Sequence, residues 1–179
     1  MRLFVAIALP DAARAMLGHV AGGLPGARWM PPESLHLTLH FIGDVDRGQA
    51  EDLHTALSGI HAPAFTLAVG SLGTFGNDRA QRALWLGVAA NPGLDHLHGK
   101  VESAMARSGF PPERRKFKPH VTLARLKGTP IDRLSEYLTL HAGIAVPSFD
   151  VEAFTLFRSH LGEAGARYEA LADYPLLLT

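Results

Sequence analysis

The spacing of apolar positions along this chain switches repeatedly between two residues and three to four. Short alternating or continuous apolar runs at 2–9, 35–42, 64–71, 82–89, 120–126, 149–158 and 166–171 predict strands, in which successive side chains face opposite sides. Helix-spaced apolar positions lie between them. Ala12, Ala15, Met16 and Val20 follow Pro10-Asp11 and stop at Gly22-Gly23. Ala50, Leu53, Leu57 and Ile60 mark a helix over 47–59. Asn91-Pro92 caps a third, with Leu94, Leu97, Val101 and Met105 inward. Thr129-Pro130 caps a fourth, with Ile131, Leu134 and Leu138 inward. Pro25-Gly26 and Pro31-Pro32 bracket Arg28-Trp29-Met30 as a short extended piece, and Gly162–Gly165 turns between the last two strands. No Rossmann or P-loop glycine pattern joins strand to helix, so the sheets need not be parallel.

The elements repeat. His36-Leu37-Thr38-Leu39 recurs as His120-Val121-Thr122-Leu123, and Phe65 and Phe149 open alternating strands at the same offset. Leu3 to Pro10 resembles Leu84 to Pro92, with Pro10 and Pro92 at nearly that spacing. Each half reads strand, helix, His-x-Thr strand, helix, strand, with repeats at about 2–80 and 82–172 inside one domain of residues 1–179. A single His-x-Thr is what any solvated sheet face shows by chance. A duplicated one places one imidazole per half beside an approximate two-fold axis. Strand alternation puts His36 and Thr38 on one face, with His40 beside them, and Leu35, Leu37 and Leu39 on the other. The same parity sets His120 and Thr122 against Val121 and Leu123, and sends Phe41 and Arg125 to the face opposite the histidines.

Composition narrows the chemistry. The chain has no cysteine, which excludes disulfides, a thiol nucleophile and thiolate-bound zinc, and it fits a cytoplasmic protein. The apolar start reads as a buried first strand, not a signal peptide, and no run reaches the length of a membrane span. Net charge is zero, which argues against wrapping nucleic acid through bulk charge. Charge is nonetheless uneven. From Arg107 to Lys127, around His120, the cations Arg107, Arg114, Arg115, Lys116, Lys118, Arg125 and Lys127 face one acid, Glu113. This is either a solvated loop or a cationic rim that draws a polyanion toward that histidine, with Arg79 and Arg82 adding to it.

The other candidates are weaker. His96 and His98 diverge on a helix, and His19, His54, His61, His141 and His160 read as surface residues. No His-Glu-x-x-His pattern exists, no carboxylate accompanies either motif, and no serine has a nucleophile-elbow context. A metal-free pair of histidines fits better. Hydrolysing a cyclic phosphate needs a proton taken from water, a proton given to the departing ribose oxygen, and shielding of the phosphoryl oxygens. Two imidazoles that titrate near 6.5 suit the first two tasks, and two threonine hydroxyls with nearby cations suit the third.

The segments Arg2 to Ile7, Leu35 to Gly43, Leu84 to Val88, Phe117 to Arg125, Tyr168 to Leu171 and Pro175-Leu176 resemble the two-histidine phosphoesterase superfamily. Within it they are most similar to the RNA 2′,3′-cyclic phosphodiesterases once called 2′-5′ RNA ligases. The resemblance implies an α+β, bilobal fold with pseudo-two-fold duplicated lobes. Each lobe would carry an antiparallel sheet and flanking helices, with the active site in the central cleft. It implies hydrolysis of RNA 2′,3′-cyclic phosphate ends to 2′-phosphates, with no metal and no cofactor; a monomer is the expectation for the chain, although no sequence feature fixes its oligomeric state. Carried over by position, His36 is the proton donor and His120 the proton acceptor, and Thr38 and Thr122 bind phosphate. Arg125 and Phe41 become candidate contacts to phosphate or base. His40, a histidine where relatives often carry a basic residue, is a further candidate substrate contact. Reversible 2′-5′ joining, another cyclic or 2′-5′-linked nucleotide, and a non-catalytic module for RNA ends are the rival readings. Two intact titratable residues argue against the last.

Overall fold

The computed structural model describes residues 1–179. In chain order the elements are β1 (Arg2–Ala8), α1 (Asp11–Gly18), β2 (Ala27–Trp29), β3 (His36–Asp44), α2 (Arg47–Ser58), β4 (Phe65–Leu67), β5 (Val69–Gly76), β6 (Gln81–Val88), α3 (Pro92–Arg107), β7 (His120–Leu126), α4 (Ile131–Leu140), β8 (Phe149–Val151), β9 (Ala153–Gly162) and β10 (Gly165–Pro175). The class is α+β, and every strand pairing is antiparallel.

Two sets of strands make up the main sheet: β10-β9-β1-β3 on one side and β7-β6-β5 on the other, with β2 paired to β7. They meet at a single position, Leu37 opposite Val121. Those two residues hold the same place in the two His-x-Thr motifs. Thr66 and Asp150, which follow Phe65 and Phe149, likewise face each other in the separate β4–β8 pair. Equivalent residues opposed in antiparallel strands define a two-fold axis, and here it runs through both pairs. The lobes are therefore not the sequence repeats themselves. The last long strand of the first repeat, β5, pairs with β6 of the second, while β9 of the second pairs with β1 of the first. Neither repeat can complete its sheet alone.

The ladder also corrects the internal alignment. Ala8 opposite His36 matches Gly87 opposite His120, so Ala8 and Gly87 are the equivalent positions of the first strands. The way from that strand to its histidine is longer in the second half, and the added length lies in the longer α3 and the basic loop. Pro10 and Pro92 are therefore not equivalent positions.

One continuous core runs through both halves, with Leu3, Val5, Ile7, Leu37, Leu84, Leu86 and Val121 from the sheet nearly fully buried. Each such side chain stabilises by about 1.5–3 kcal/mol relative to an exposed position. Helix α3 buries Leu94, Leu97, Val101 and Met105, and the Asn91 side chain accepts from the Leu94 amide at its start. Two helix faces differ from their sequence expectation. In α1 the buried residues are Ala13 and Leu17, and Met16 is exposed, because the helix ends at Gly18 and cannot carry the stripe to Val20. In α4 Leu134 and Tyr137 are buried while Ile131, in the first turn, keeps nearly half of its exposure. Thr129 makes no capping bond there; Pro130 occupies the cap position. The predicted strands 64–71 and 149–158 each break in two, giving β4 and β5 and β8 and β9.

Candidate active site

The single β3–β7 contact puts the two His-x-Thr stretches side by side. With Leu37 facing Val121, His36 lies across from Thr122 and Thr38 across from His120, so the imidazoles take opposite corners of a floor made by these four side chains. Leu35, Leu37, Leu39, Val121 and Leu123 point into the core, as the alternation predicts.

Both rings are oriented by the same local device. His36 Nδ1 lies 2.7 Å from the Ser34 carbonyl oxygen, and His120 Nδ1 lies 2.7 Å from the Lys118 carbonyl oxygen. A carbonyl only accepts, so each Nδ1 carries the hydrogen and each Nε2 is left for other partners. His36 Nε2 is 3.1 Å from the Thr38 hydroxyl, which donates to it when the ring is neutral. Aromatic rings hold the imidazoles from behind. Phe4 and Tyr168 stand 4.9 and 5.2 Å from the His36 ring, and Phe75 meets the His120 ring edge-on at 4.9 Å. Trp85 lies 6.2 Å from His120, and Lys118 Nζ lies over both Phe75 and Trp85, at 5.2 and 5.1 Å.

The cavity above this floor is about 570 Å³ and is lined by both histidines, both threonines, Arg2, Arg115 and Arg125. No carboxylate lines it. Burial lowers the His36 pKa, the Ser34 carbonyl opposes that effect, and the nearby charges of His120 and Arg125 lower it further. The site therefore favours negative charge at its centre.

Strand parity misplaces three candidates, for one reason. Val5 faces His40 but Ala6 faces Thr38, so Leu39 is an extra residue on β3; Leu84 faces Ala124 but Trp85 faces Thr122, so Leu123 is an extra residue on β7. These bulges hold the same place in the two motifs and flip the parity beyond them. Phe41 and Arg125, equivalent positions in the two halves, consequently join the histidine face and line the cavity. His40 turns the other way. It is 4% exposed, and its Nδ1 bonds Glu102 Oε1 on α3. Of the basic loop, Arg115 reaches the cavity, whereas Arg114 lines neither it nor the space beside it. The His-x-Thr pattern does not point to Phe4, Phe75, Trp85, Arg2 and Tyr168, which the fold adds to the site. The aligned repeats carry a signal for them, since the strands flanking each histidine are rich in aromatics.

The duplication has a counterpart in a known family. A family model described as LigT like Phosphoesterase matches twice in succession, over residues 7–85 and 86–168. The chain belongs to this family. The two matches begin at equivalent positions of the ladders, since Ile7 faces Leu37 as Leu86 faces Val121. An RNA 2′,3′-cyclic phosphodiesterase of Escherichia coli is 33% identical, over 98% of this chain and 96% of that one. One of Geobacillus stearothermophilus is 34% identical over 97% of this chain, which spans only 57% of that relative's length. Among solved structures, E. coli LigT complexed with 3′-AMP superposes with a TM-score of 0.78 at 32% identity, covering 98% of this chain and 97% of the other.

Proposed function

We propose that this phosphoesterase hydrolyses RNA 2′,3′-cyclic phosphate ends to 2′-phosphates by metal-free acid–base catalysis. The observation that carries the reading is the diagonal pair of histidines, each with Nδ1 committed to a backbone carbonyl, in a cavity that Arg2, Arg115 and Arg125 also line. The curated relatives of this name at about 30% identity supply the substrate class.

In this mechanism the cyclic phosphate sits between the imidazoles. His120 Nε2 takes a proton from the attacking water, and His36 Nε2 gives one to the departing 3′ oxygen, leaving the phosphate on the 2′ oxygen. Opposite corners suit these roles, because attacking and leaving oxygens lie on opposite sides of the phosphorus in an in-line displacement. Thr38, Thr122 and Arg125 shield the remaining oxygens as charge builds. Phe41 offers its exposed ring to a base. Two threonine hydroxyls, three guanidinium groups and two imidazoles make a poor donor set for magnesium, which wants carboxylates.

The test is incubation with EDTA and an oligonucleotide bearing a 2′,3′-cyclic phosphate, followed by mapping of the product. A 2′-phosphate formed in the presence of chelator is expected. His36→Ala and His120→Ala should each lower turnover about 10²-fold or more, and the double variant should lose far less than the product of the two. A 3′-phosphate product, full loss with EDTA restored by one divalent ion, or near-normal turnover in either single variant would refute the assignment.

A further inference from the structure

A second cavity, of about 790 Å³, opens beside the first and shares Thr38, Phe41, Phe75, Arg115 and His120 with it. Its rim carries Glu113, Lys116 and Lys118 of the basic loop. Its inner end is an ordered polar cluster. Glu102 of α3 receives the buried His40 through Oε1, and His98, one helical turn earlier, lies 3.6 Å from the same oxygen. The His98 ring stacks on Phe117 with centroids 3.7 Å apart and planes within 4°. Glu102 is thus held by His40, with the His98 ring beside it, yet its Oε2 has no hydrogen-bond partner and the side chain keeps 21% of its exposure. The proposed catalytic mechanism uses none of these groups.

Building on the proposed function, we infer that this annex binds the nucleotide preceding the cyclic phosphate and that Glu102 selects its base. Arg115 is the one loop cation that lines both cavities, so it is placed to hold the phosphodiester between the last two nucleotides. Past that phosphate the next base enters the annex, where Phe41, 65% exposed, offers a stacking face. A fixed carboxylate at the far end accepts hydrogen bonds and donates none, so it selects a base edge rich in N–H donors. Guanine presents two adjacent donors on its Watson–Crick edge, one for the open Oε2 and one for the lone pair that His40 leaves on Oε1. Uracil presents one N–H between two carbonyls, which the carboxylate repels. The annex therefore favours guanine and disfavours uracil.

The experiment compares three substrates: guanylyl-adenosine and uridylyl-adenosine 2′,3′-cyclic phosphates, and adenosine 2′,3′-cyclic phosphate alone. For the wild-type protein kcat/KM should be about tenfold higher for the guanylyl than for the uridylyl dinucleotide. In Glu102→Gln that ratio should collapse toward one, because the amide offers one acceptor and one donor. Equal rates for the two wild-type dinucleotides overturn the inference without any variant. A fall in Glu102→Gln by the same factor on all three substrates also overturns it, and makes Glu102 a structural support for His40. If no cyclic phosphate is hydrolysed, the proposed activity fails. Binding of the two dinucleotides as 3′-phosphates, measured by titration calorimetry, then decides the annex by itself: a guanine preference that Glu102→Gln abolishes supports it, and equal affinities overturn it.

Discussion

His36 gives one ring nitrogen to the Ser34 carbonyl and packs its ring against Phe4 and Tyr168, which leaves it half-buried at the edge of the cavity. Burial is the main reason its pKa lies below the usual 6.5, and the charges of His120 and Arg125 act in the same direction. A dianion between the imidazoles reverses that balance, because it favours the protonated ring. Anion binding therefore takes up a proton, and affinity must rise as pH falls, by up to about tenfold per pH unit for one proton. Sulfate is a suitable probe because its own charge is constant from pH 7.5 to 5.5. Titration calorimetry should show sulfate binding tightening over that range in the wild type and much less in His36→Gln. An unchanged affinity would place the anion away from His36. Stability follows the same linkage. The unfolded chain binds this proton near pH 6.5 and the folded one only at lower pH, so the folded state loses stability as pH drops below 6.5. Saturating sulfate should recover part of the lost melting temperature.

Within single elements, the histidine strands show both how far a periodic pattern can be read and where it stops. The alternation from Leu35 to Leu39 gives the correct face for His36 and Thr38, since a core-facing leucine on each side leaves the register no freedom. It fails at His40, Phe41 and Arg125, because a bulge adds one residue without leaving a compositional trace. Leu39 and His40 are both buried, and so are Leu123 and Ala124, but two consecutive buried residues read as ordinary strand in a sequence. Glycine leaves a clearer mark. On β5, Gly73 faces Trp85 across the ladder, and a Cβ at Gly73 would overlap the indole ring. That indole is part of the wall behind His120 and lies under Lys118. Gly73→Ala should displace it, destabilising the fold by about 1–3 kcal/mol from overpacking and lowering kcat more than it raises KM. Denaturant melts and steady-state kinetics measure the two effects. A stability loss with kcat intact would separate Trp85 from the orientation of His120.

Across the whole molecule, a net charge of zero conceals a local field. The duplicated halves alone would give a site symmetric about the axis through Leu37 and Val121. The extra length before His120 breaks that symmetry and brings the basic loop to one side of the cleft. The repeats and the motif made the two-fold site legible in the sequence. The exchange of β5 and β9 between lobes was not, because nothing local distinguishes a strand that pairs within its own repeat from one that crosses. The asymmetry predicts different behaviour for long and short substrates. Arg114 and Lys116 are exposed on the loop, outside the floor formed by the histidines and threonines. Replacing both with Ser removes two cations from that side of the cleft. For a single-stranded oligonucleotide with a cyclic end, log KM against log salt should flatten by about 1.4, at roughly 0.7 per neutralised phosphate. KM at low salt should rise, while a mononucleoside cyclic phosphate, which offers one phosphate held by the floor itself, should be much less affected. Equal changes for both substrates would mean that the loop shapes the floor. No change for either would make Arg114 and Lys116 ordinary solvated residues, and the attraction of RNA to the cleft would then fall to the arginines that line it, Arg2, Arg115 and Arg125.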